Sequence, residues 1–287
     1  MLSRTRCSSL LQSLVSQPRT VWAAGMAALL LVACGRADAD QPLWELGLGV
    51  GALVLPHYRG SDQNHHWVLP IPYVVYRGEI LRSDREGTRA VLLDTERVDV
   101  DISVTGGPPL RSRDNRARSG LHDLAATLEV GPNVNLRLGK GAGWKLNLRL
   151  PLRAAFAAED PPKSLGWTLS PVLNLDAQWR GWNLGLQGGP QAAGRSYHGY
   201  FYDVPASGAT ATRPAYSARG GYAGWGLASS ATRRVGAWWL AGFWRYDSLA
   251  GATFAGSPLV TRRSNQSFGV AASWVFKVSD ERVAERP

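Results

Sequence analysis

The chain has 287 residues and a formal net charge of +10, with 32 glycines, 12 tryptophans and only two cysteines. Both cysteines, Cys7 and Cys34, lie close to the start, which excludes disulfide bonds and thiol chemistry from the rest of the chain. The length suits one large β domain or two ordinary domains.

The first 39 residues predict a signal peptide. Basic residues precede an apolar stretch of eleven residues, 23–33, which is too short to span a bilayer. The small-x-small sequence at Ala37–Ala39 predicts cleavage before Asp40. The alternative is lipidation of Cys34, because the stretch Leu31–Cys34 resembles a lipobox. Either reading predicts export.

From residue 43 onward the chain alternates between apolar and small or polar residues, as β-strands do. Every even position from Phe268 to Val278 is apolar, and the same alternation runs from Trp144 to Leu152 and from Leu165 to Trp179. The pattern predicts twelve strands, at 43–55, 67–77, 79–85, 88–95, 97–106, 123–138, 143–156, 165–179, 181–193, 215–231, 235–248 and 265–278. The segment 79–95 is short and charged, so ten strands are the alternative.

Strand length, aromatic placement and charge favour a membrane barrel over a soluble sandwich. Many strands reach the roughly 10 residues that cross a bilayer, and Trp and Tyr residues such as Trp67 cluster at strand ends, as in aromatic girdles. Full charges on the polar face predict a wet or plugged lumen. The candidate lumen-lining residues are Glu45, Asp99, Asp101, Glu129, Lys145, Arg149, Asp176, Arg245 and Asp247.

The connections between strands alternate between short turns and longer loops, as in bacterial outer-membrane barrels. The predicted fold is therefore all-β: one transmembrane antiparallel β-barrel over residues 40–287, ending in a short periplasmic tail at 279–287. The predicted location is the outer membrane of a Gram-negative cell.

Four stretches of the sequence resemble the MipA/OmpV family of MltA-interacting outer-membrane proteins. They are Leu46–Gln63, Leu69–Gly78, Tyr200–Ala209 and Phe243–Val260, and the resemblance extends over about 42–278. The residues that carry the motifs are Pro56, Tyr58, Gly60, Ser61, Pro70, Pro72, Ser257 and Pro258.

This resemblance implies an outer-membrane β-barrel without known enzymatic chemistry. One branch of the family is described as a scaffold that joins a murein lytic transglycosylase to a penicillin-binding synthase in peptidoglycan growth. Another branch is described as a porin-like or adhesive surface protein. We therefore expect a non-enzymatic scaffold, with a small porin-like diffusion channel or a surface adhesin as the alternative.

The expected partners are outer-membrane lipid and lipopolysaccharide, together with the two murein enzymes that the family implies. A basic chain can bind nucleic acid, but an exported protein meets phosphate on lipid, so no nucleic-acid partner is expected. The basic run Arg111–Gly120 is interpreted as a solvated surface loop. Its alternatives are contact with lipopolysaccharide phosphates and a constriction folded into the pore.

No catalytic, cofactor or metal site is predicted. His57, His65, His66 and Asp62 share one predicted loop, but their spacing matches no strong metal pattern, so a solvated loop is the favoured reading. Ser196 and His198, with Asp203 nearby, suggest a membrane-lipid hydrolase only weakly, because no nucleophile-elbow sequence accompanies them.

Overall fold

The computed structural model describes residues 41–78, 81–84 and 87–283. The predicted signal peptide, the lipidation alternative at Cys34 and the last four residues of the predicted tail lie outside the described residues. Fifteen strands and one α-helix occur within them. No helix in this part of the chain is long and apolar enough to cross a membrane.

The strands follow the predicted alternation, but two are displaced along the chain: β7 begins four residues after the predicted start at 123, and β12 begins six residues after the predicted start at 215. Their bounds are β1 Gln41–Pro42, β2 Trp44–Pro56, β3 Asn64–Arg77, β4 Leu81–Asp84, β5 Gly87–Asp94, β6 Val98–Gly107, β7 Thr127–Gly141, β8 Trp144–Ala157, β9 Lys163–Leu169, β10 Val172–Trp179, β11 Trp182–Ala193, β12 Gly221–Val235, β13 Trp238–Ser248, β14 Ser264–Val278 and β15 Arg282–Val283. The helix α1 spans Arg195–Tyr202, between β11 and β12.

All pairings between described strands are antiparallel, and the main sheet closes on itself because β14 pairs with β2. The strands β9 and β10 are two halves of one strand, interrupted at Ser170 and Pro171; both halves pair with β8 on one side and β11 on the other. The closed ring therefore has twelve strands in the described residues. The predicted twelve-stranded antiparallel barrel is confirmed. The weakest part of the sequence pattern corresponds to the four-residue strand β4 and the eight-residue strand β5.

The apolar face of each strand points out of the barrel. On β14 the exposed side chains include Phe268, Val270 and Trp274, whereas Ser273 on the opposite face is 0 % exposed. Trp225 and Val235 stand ten residues apart on β12. At about 3.3 Å per residue and a tilt of about 40°, that distance corresponds to a band about 25 Å tall, the height of the apolar belt of membrane barrels.

Exposed aromatic residues mark both borders of this band. Near the short turns lie Trp144, Trp179, Trp238 and Trp274, and near the long loops lie Trp167, Trp225 and Phe268. Trp67 does not belong to either girdle: it points inward and stacks on His65, with 4.5 Å between ring centroids. The girdle prediction was wrong for Trp67, because the face it occupies on β3 is the lumen face.

One inward shift interrupts the alternation of β9. Gly166 has a φ of +86° and the register with β8 changes beside it, between Ala155 and Phe156. This bulge turns Leu165 into the interior, where it is buried, instead of onto the lipid-facing side that the alternation predicts.

Candidate functional site: the loop cap and the charged lumen

The two ends of the barrel differ in construction. Short turns at 95–97, 142–143, 180–181 and 236–237 form one end, here called the turn end, where β1 and β15 also lie. Long connections leave the other end, here called the loop end. Four of them, residues 57–63, 108–126, 194–220 and 249–263, pack together, and this assembly is called the loop cap.

The loop cap has its own apolar core. The rings of Tyr202 and Phe254 stack with 3.8 Å between centroids, and Tyr58 meets Tyr202 edge-on at 6.2 Å. The buried members from the four loops include Tyr58, Leu110, Leu124, Tyr200, Tyr202, Val204, Leu249, Phe254 and Leu259. Burial of each large apolar side chain contributes about 1.5–3 kcal/mol. The connections are therefore a folded unit, and not the solvated loops that the sequence suggested.

The first family-motif residues tie loop 57–63 to loop 249–263 and to β14, the strand beside β2. The Tyr58 hydroxyl donates to the Leu259 carbonyl at 2.8 Å. The Gly60 amide donates to Oδ1 of Asn265 at 2.6 Å, and Nδ2 of Asn265 donates to the Ser61 carbonyl at 2.7 Å. Gly60 has a φ of +95°, a conformation that side chains other than glycine rarely adopt.

The second motif binds loop 249–263 to the helix. The Ser257 hydroxyl donates to the carbonyl of Tyr202, the last residue of α1, at 2.8 Å. Pro258 follows it in the same loop, and Pro56 ends β2. Pro70 and Pro72 lie elsewhere, on β3. The motif residues of the loops thus serve to hold the loop cap together.

Arg118 is the fully buried charge of the loop cap, with 0 % exposure. Its guanidinium donates to the Phe201 carbonyl at 2.7 Å, to the His122 carbonyl at 3.2 Å and to Oγ of Ser112 at 3.3 Å. The basic run 111–120 is therefore not a uniformly solvated loop. Arg116 in the same run is exposed and pairs with Asp62 at 2.7 Å.

The candidate hydrolase residues lie in and after α1, in different surroundings. Ser196 is exposed on α1, whereas His198 is buried and its Nδ1 donates to the Arg219 carbonyl at 2.7 Å. Asp203 pairs with Arg195 at 2.8 Å and accepts a bond from the Ala218 amide. These contacts position α1 in the loop cap.

Two of the three histidines near the first loop lie together. The rings of His57 and His65 lie 4.1 Å apart, while His66 points to the opposite face of β3. Among the described residues, no three His, Cys, Asp or Glu side chains form a group that could hold a metal ion.

The loop cap should loosen in mild acid. Burial lowers the pKa of His57, His122 and His198 below that of a histidine in an unfolded chain. Protonation of these histidines then favours the open loop cap. The closed cap therefore keeps its full stability above about pH 6.5 and loses stability as the pH falls below that value. We expect faster protease cleavage of residues 108–126 and 194–220 at about pH 5.5 than at about pH 7.5. His198→Asn, which keeps a donor for Arg219, should weaken this pH dependence; an unchanged dependence in that variant would rule out His198 as its source.

The nine candidate lumen-lining residues occupy strand positions on the face opposite to the exposed apolar side chains. The cluster nearest the turn end is centred on Glu45, which is buried and pairs with Arg77 at 2.7 Å and with Arg234 at 2.6 Å. Arg234 belongs to β12 and Glu45 to β2, which are not neighbours in the sheet. This ion pair therefore crosses the lumen.

A second charged cluster lies where the lumen meets the loop cap. Asp247 on β13 pairs with Arg245 at 2.6 Å and with Arg59 of the first loop at 3.3 Å. On the opposite wall, Glu129 accepts bonds from the hydroxyls of Thr168 and of Tyr197 of α1. The contacts of Asp247 with Arg59 and of Glu129 with Tyr197 therefore tie the loop cap to the barrel wall.

The middle of the lumen contains a carboxylate held by amides. Asp101 is fully buried, and Nδ2 of both Asn133 and Asn135 donates to its Oδ2 at 2.9 Å. Asn174 similarly donates to Asp176 at 2.6 Å on β10, and the register places Lys145 of β8 opposite Asp176. The lumen therefore carries charges of both signs along its length, beneath a packed cap.

Comparison with known proteins finds one matching family and several similar structures. The family described as MltA-interacting protein MipA matches residues 48–276. No curated protein matches the chain. A structure titled "Bacterial polysaccharide outer membrane secretin" is similar with a TM-score of 0.43 and 9 % identity, over 83 % of this chain and 100 % of that chain.

Two structures from Pseudomonas aeruginosa are similar at lower scores. A FadL homologue has a TM-score of 0.30 and 8 % identity, over 83 % of this chain and 91 % of that chain. OccK2 (OpdF), solved in complex with glucuronate, has a TM-score of 0.21 and 10 % identity, over 84 % of this chain and 99 % of that chain.

Proposed function

This chain belongs to the MltA-interacting protein MipA family, and from that membership we propose that it is a non-enzymatic scaffold in the outer membrane. In this role it would hold a murein lytic transglycosylase, and with it a penicillin-binding synthase, at the periplasmic face during peptidoglycan growth. The observation that carries the proposal is the match to the family over residues 48–276.

The outward face of the barrel supports the membrane location. An apolar band about 25 Å tall between two borders of exposed aromatic residues suits a lipid bilayer. In bacterial barrels the short turns face the periplasm and the long loops face the cell exterior. That orientation would present the turn end, with the described ends of the chain, to the periplasmic enzymes.

The turn end offers an ordered surface for docking. Gln41 and Pro42 of β1 pair with Val283 and Arg282 of β15, and the Leu43 amide donates to the Glu281 carbonyl at 2.9 Å. The two segments 41–43 and 279–283 together are called the terminal clasp. Because its small sheet has only two strands, a partner segment could add to either edge through backbone hydrogen bonds.

The scaffold is tested by retention of a lytic transglycosylase on immobilised protein. Deletion of residues 282–287 removes β15 and should abolish retention, because the partner loses the docking edge. Ser279, whose amide donates to the Trp44 carbonyl at 2.9 Å, stays in place so that β14 and β2 keep their junction. Arg116→Ala in the loop cap is the matched control and should retain the enzyme fully. Equal retention by the deletion variant would exclude the terminal clasp as the docking surface.

A narrow diffusion channel is the second candidate, favoured by the charges of both signs in the lumen. If ions pass through, Asp176→Asn should shift the selectivity of single channels in planar bilayers towards anions, because the substitution removes a negative charge from the passage. Asp280→Asn, at an exposed position after β14, is the matched control and should leave selectivity unchanged. Absence of conductance from both the parent protein and the variants would exclude the channel.

A further inference from the structure

The barrel wall is interrupted between β3 and β6 on its loop-end half. β3 has 14 residues, but only Tyr76 and Arg77 pair with β4. The pairing of β5 with β6 reaches towards the loop end only as far as Arg89 opposite Ser103. Among the described residues, the edge of β3 from 64 to 72 therefore has no strand beside it, over about 25 Å of chain.

Two prolines occupy this open edge. Arg77 donates its backbone N–H to the Leu43 carbonyl, so the odd residues of β3 bond to β2 and the even residues direct their backbone groups to the other side. Pro70 and Pro72 are even-numbered and have no N–H to donate. A further strand could not form a regular ladder with them. The sequence itself therefore keeps this edge of the wall from being sealed by another strand.

The open edge lies within the apolar band. Val68, beside the prolines, is 73 % exposed on the outer face. Leu69, on the inner face, is 43 % exposed, so an apolar side chain also borders the lumen at this point. Backbone groups left without partners in hydrocarbon are costly, so such an edge occurs where it lines a cavity or meets a polar group of another molecule.

A cavity of about 870 Å³ adjoins this gap beneath loop 108–126. Trp67 of β3 and Leu110 and Leu124 of the loop supply apolar lining. Charged side chains of both signs also line the cavity: Arg111, Lys163, Asp114, Asp123 and Glu159. A cavity of this size that combines apolar walls with charged groups suits an amphipathic small molecule.

We propose that the gap between β3 and β6 is a lateral portal through which a membrane lipid of the loop-end leaflet inserts an acyl chain into the cavity beneath loop 108–126. A hydroxyl or an amide N–H near the polar end of the lipid would donate to the exposed carbonyls of the β3 edge, such as that of Pro70. The ligand is thus an amphipathic lipid that reaches the cavity from within the membrane. The proposal rests on the membrane location proposed above, but on neither the scaffold role nor the channel.

Site-specific quenching tests the portal. Because Cys7 and Cys34 precede residue 40, a chain without the first 39 residues has no cysteine of its own. Single cysteines are introduced by Leu69→Cys at the portal and Val270→Cys on the lipid-facing side of β14. A third, Ala241→Cys, faces the lumen behind the fully paired wall of β13. Each variant is labelled with a small fluorophore and reconstituted into phosphatidylcholine vesicles with brominated acyl chains.

If lipid enters through the portal, the brominated chains should quench most of the fluorescence of the labels at positions 69 and 270. The label at position 241 should keep its fluorescence. Retained emission at position 69 together with quenching at position 270 would overturn the portal and leave the membrane barrel standing. Retained emission at both positions would overturn the membrane location, and the portal with it. Quenching at position 69 by aqueous iodide but not by brominated lipid would identify a water-filled window, which also overturns lipid entry.

Discussion

Arg118→Ala is expected to open the loop cap while leaving the barrel folded. The substitution removes the donors for the carbonyls of Phe201 and His122 and for the Ser112 hydroxyl, and it leaves a cavity beside Tyr58. Unsatisfied buried acceptors and a lost side-chain volume together should destabilise the cap by about 3–4 kcal/mol. Trypsin should then cleave residues 108–126 in the folded protein, and ion conductance through the lumen should rise.

Arg116→Ala is the matched control for this prediction. Arg116 lies two residues away, but it is exposed and pairs with Asp62 at the surface, so its loss should cost less than about 1 kcal/mol. If both variants resist trypsin equally, Arg118 does not hold the cap. If the cap is cleaved but conductance stays low, the lumen network and not the cap closes the passage.

Glu45→Ala should lower the stability of the barrel at the turn end. It leaves the guanidinium groups of Arg77 and Arg234 without their shared carboxylate and cuts the ion pair that joins β2 to β12 across the lumen. Removal of one partner from a fully buried pair costs about 3–5 kcal/mol. Both arginines are partly exposed, so we expect about 2–3 kcal/mol here. The measurement is the temperature at which the folded, fast-migrating band on a gel converts to the unfolded band.

Glu96→Gln is the control for the turn end. Glu96 lies at an exposed position in the turn between β5 and β6, and its substitution should leave the transition temperature unchanged. A Glu45→Ala protein as heat-resistant as the parent would show that the cross-lumen ion pair does not stabilise the barrel. The effects of the two substitutions should be independent, because Arg118 lies in the loop cap and Glu45 lies at the opposite end of the barrel.

The barrel itself could be predicted because its strands depend on a period-two pattern that the sequence displays directly. The alternation of β14 from Phe268 to Val278 indicates which face meets lipid, and the count of such segments gives twelve strands. The interruption at Pro171 did not disturb that count, since both halves of the strand keep the same neighbours. The sequence also indicates the short strand β4, which lies in the weak and charged stretch 79–95.

The loop cap could not be predicted, because its contacts join residues far apart in the chain without periodicity. The hydrogen bond from Tyr58 to Leu259 spans 201 residues. Arg118 resembles its exposed neighbours in sequence, and only the positions of the Phe201 and His122 carbonyls identify it as buried. The motif residues of the family give a partial signal: they include Gly60, Ser61 and Ser257, but the motif does not indicate that these residues join the loops.

The closure of the ring by β14 against β2 constrains how the protein can be assembled. These are the first and last strands of the barrel in sequence, so no partial product of the chain can complete the ring. Until β14 is present, the growing sheet has two exposed edges, which are prone to pair with other chains and cannot be left bare in hydrocarbon. Insertion into the membrane must therefore wait for the C-terminal strand or take place with both edges shielded. A chain truncated before Ser264 would be an open sheet and a target for aggregation or degradation.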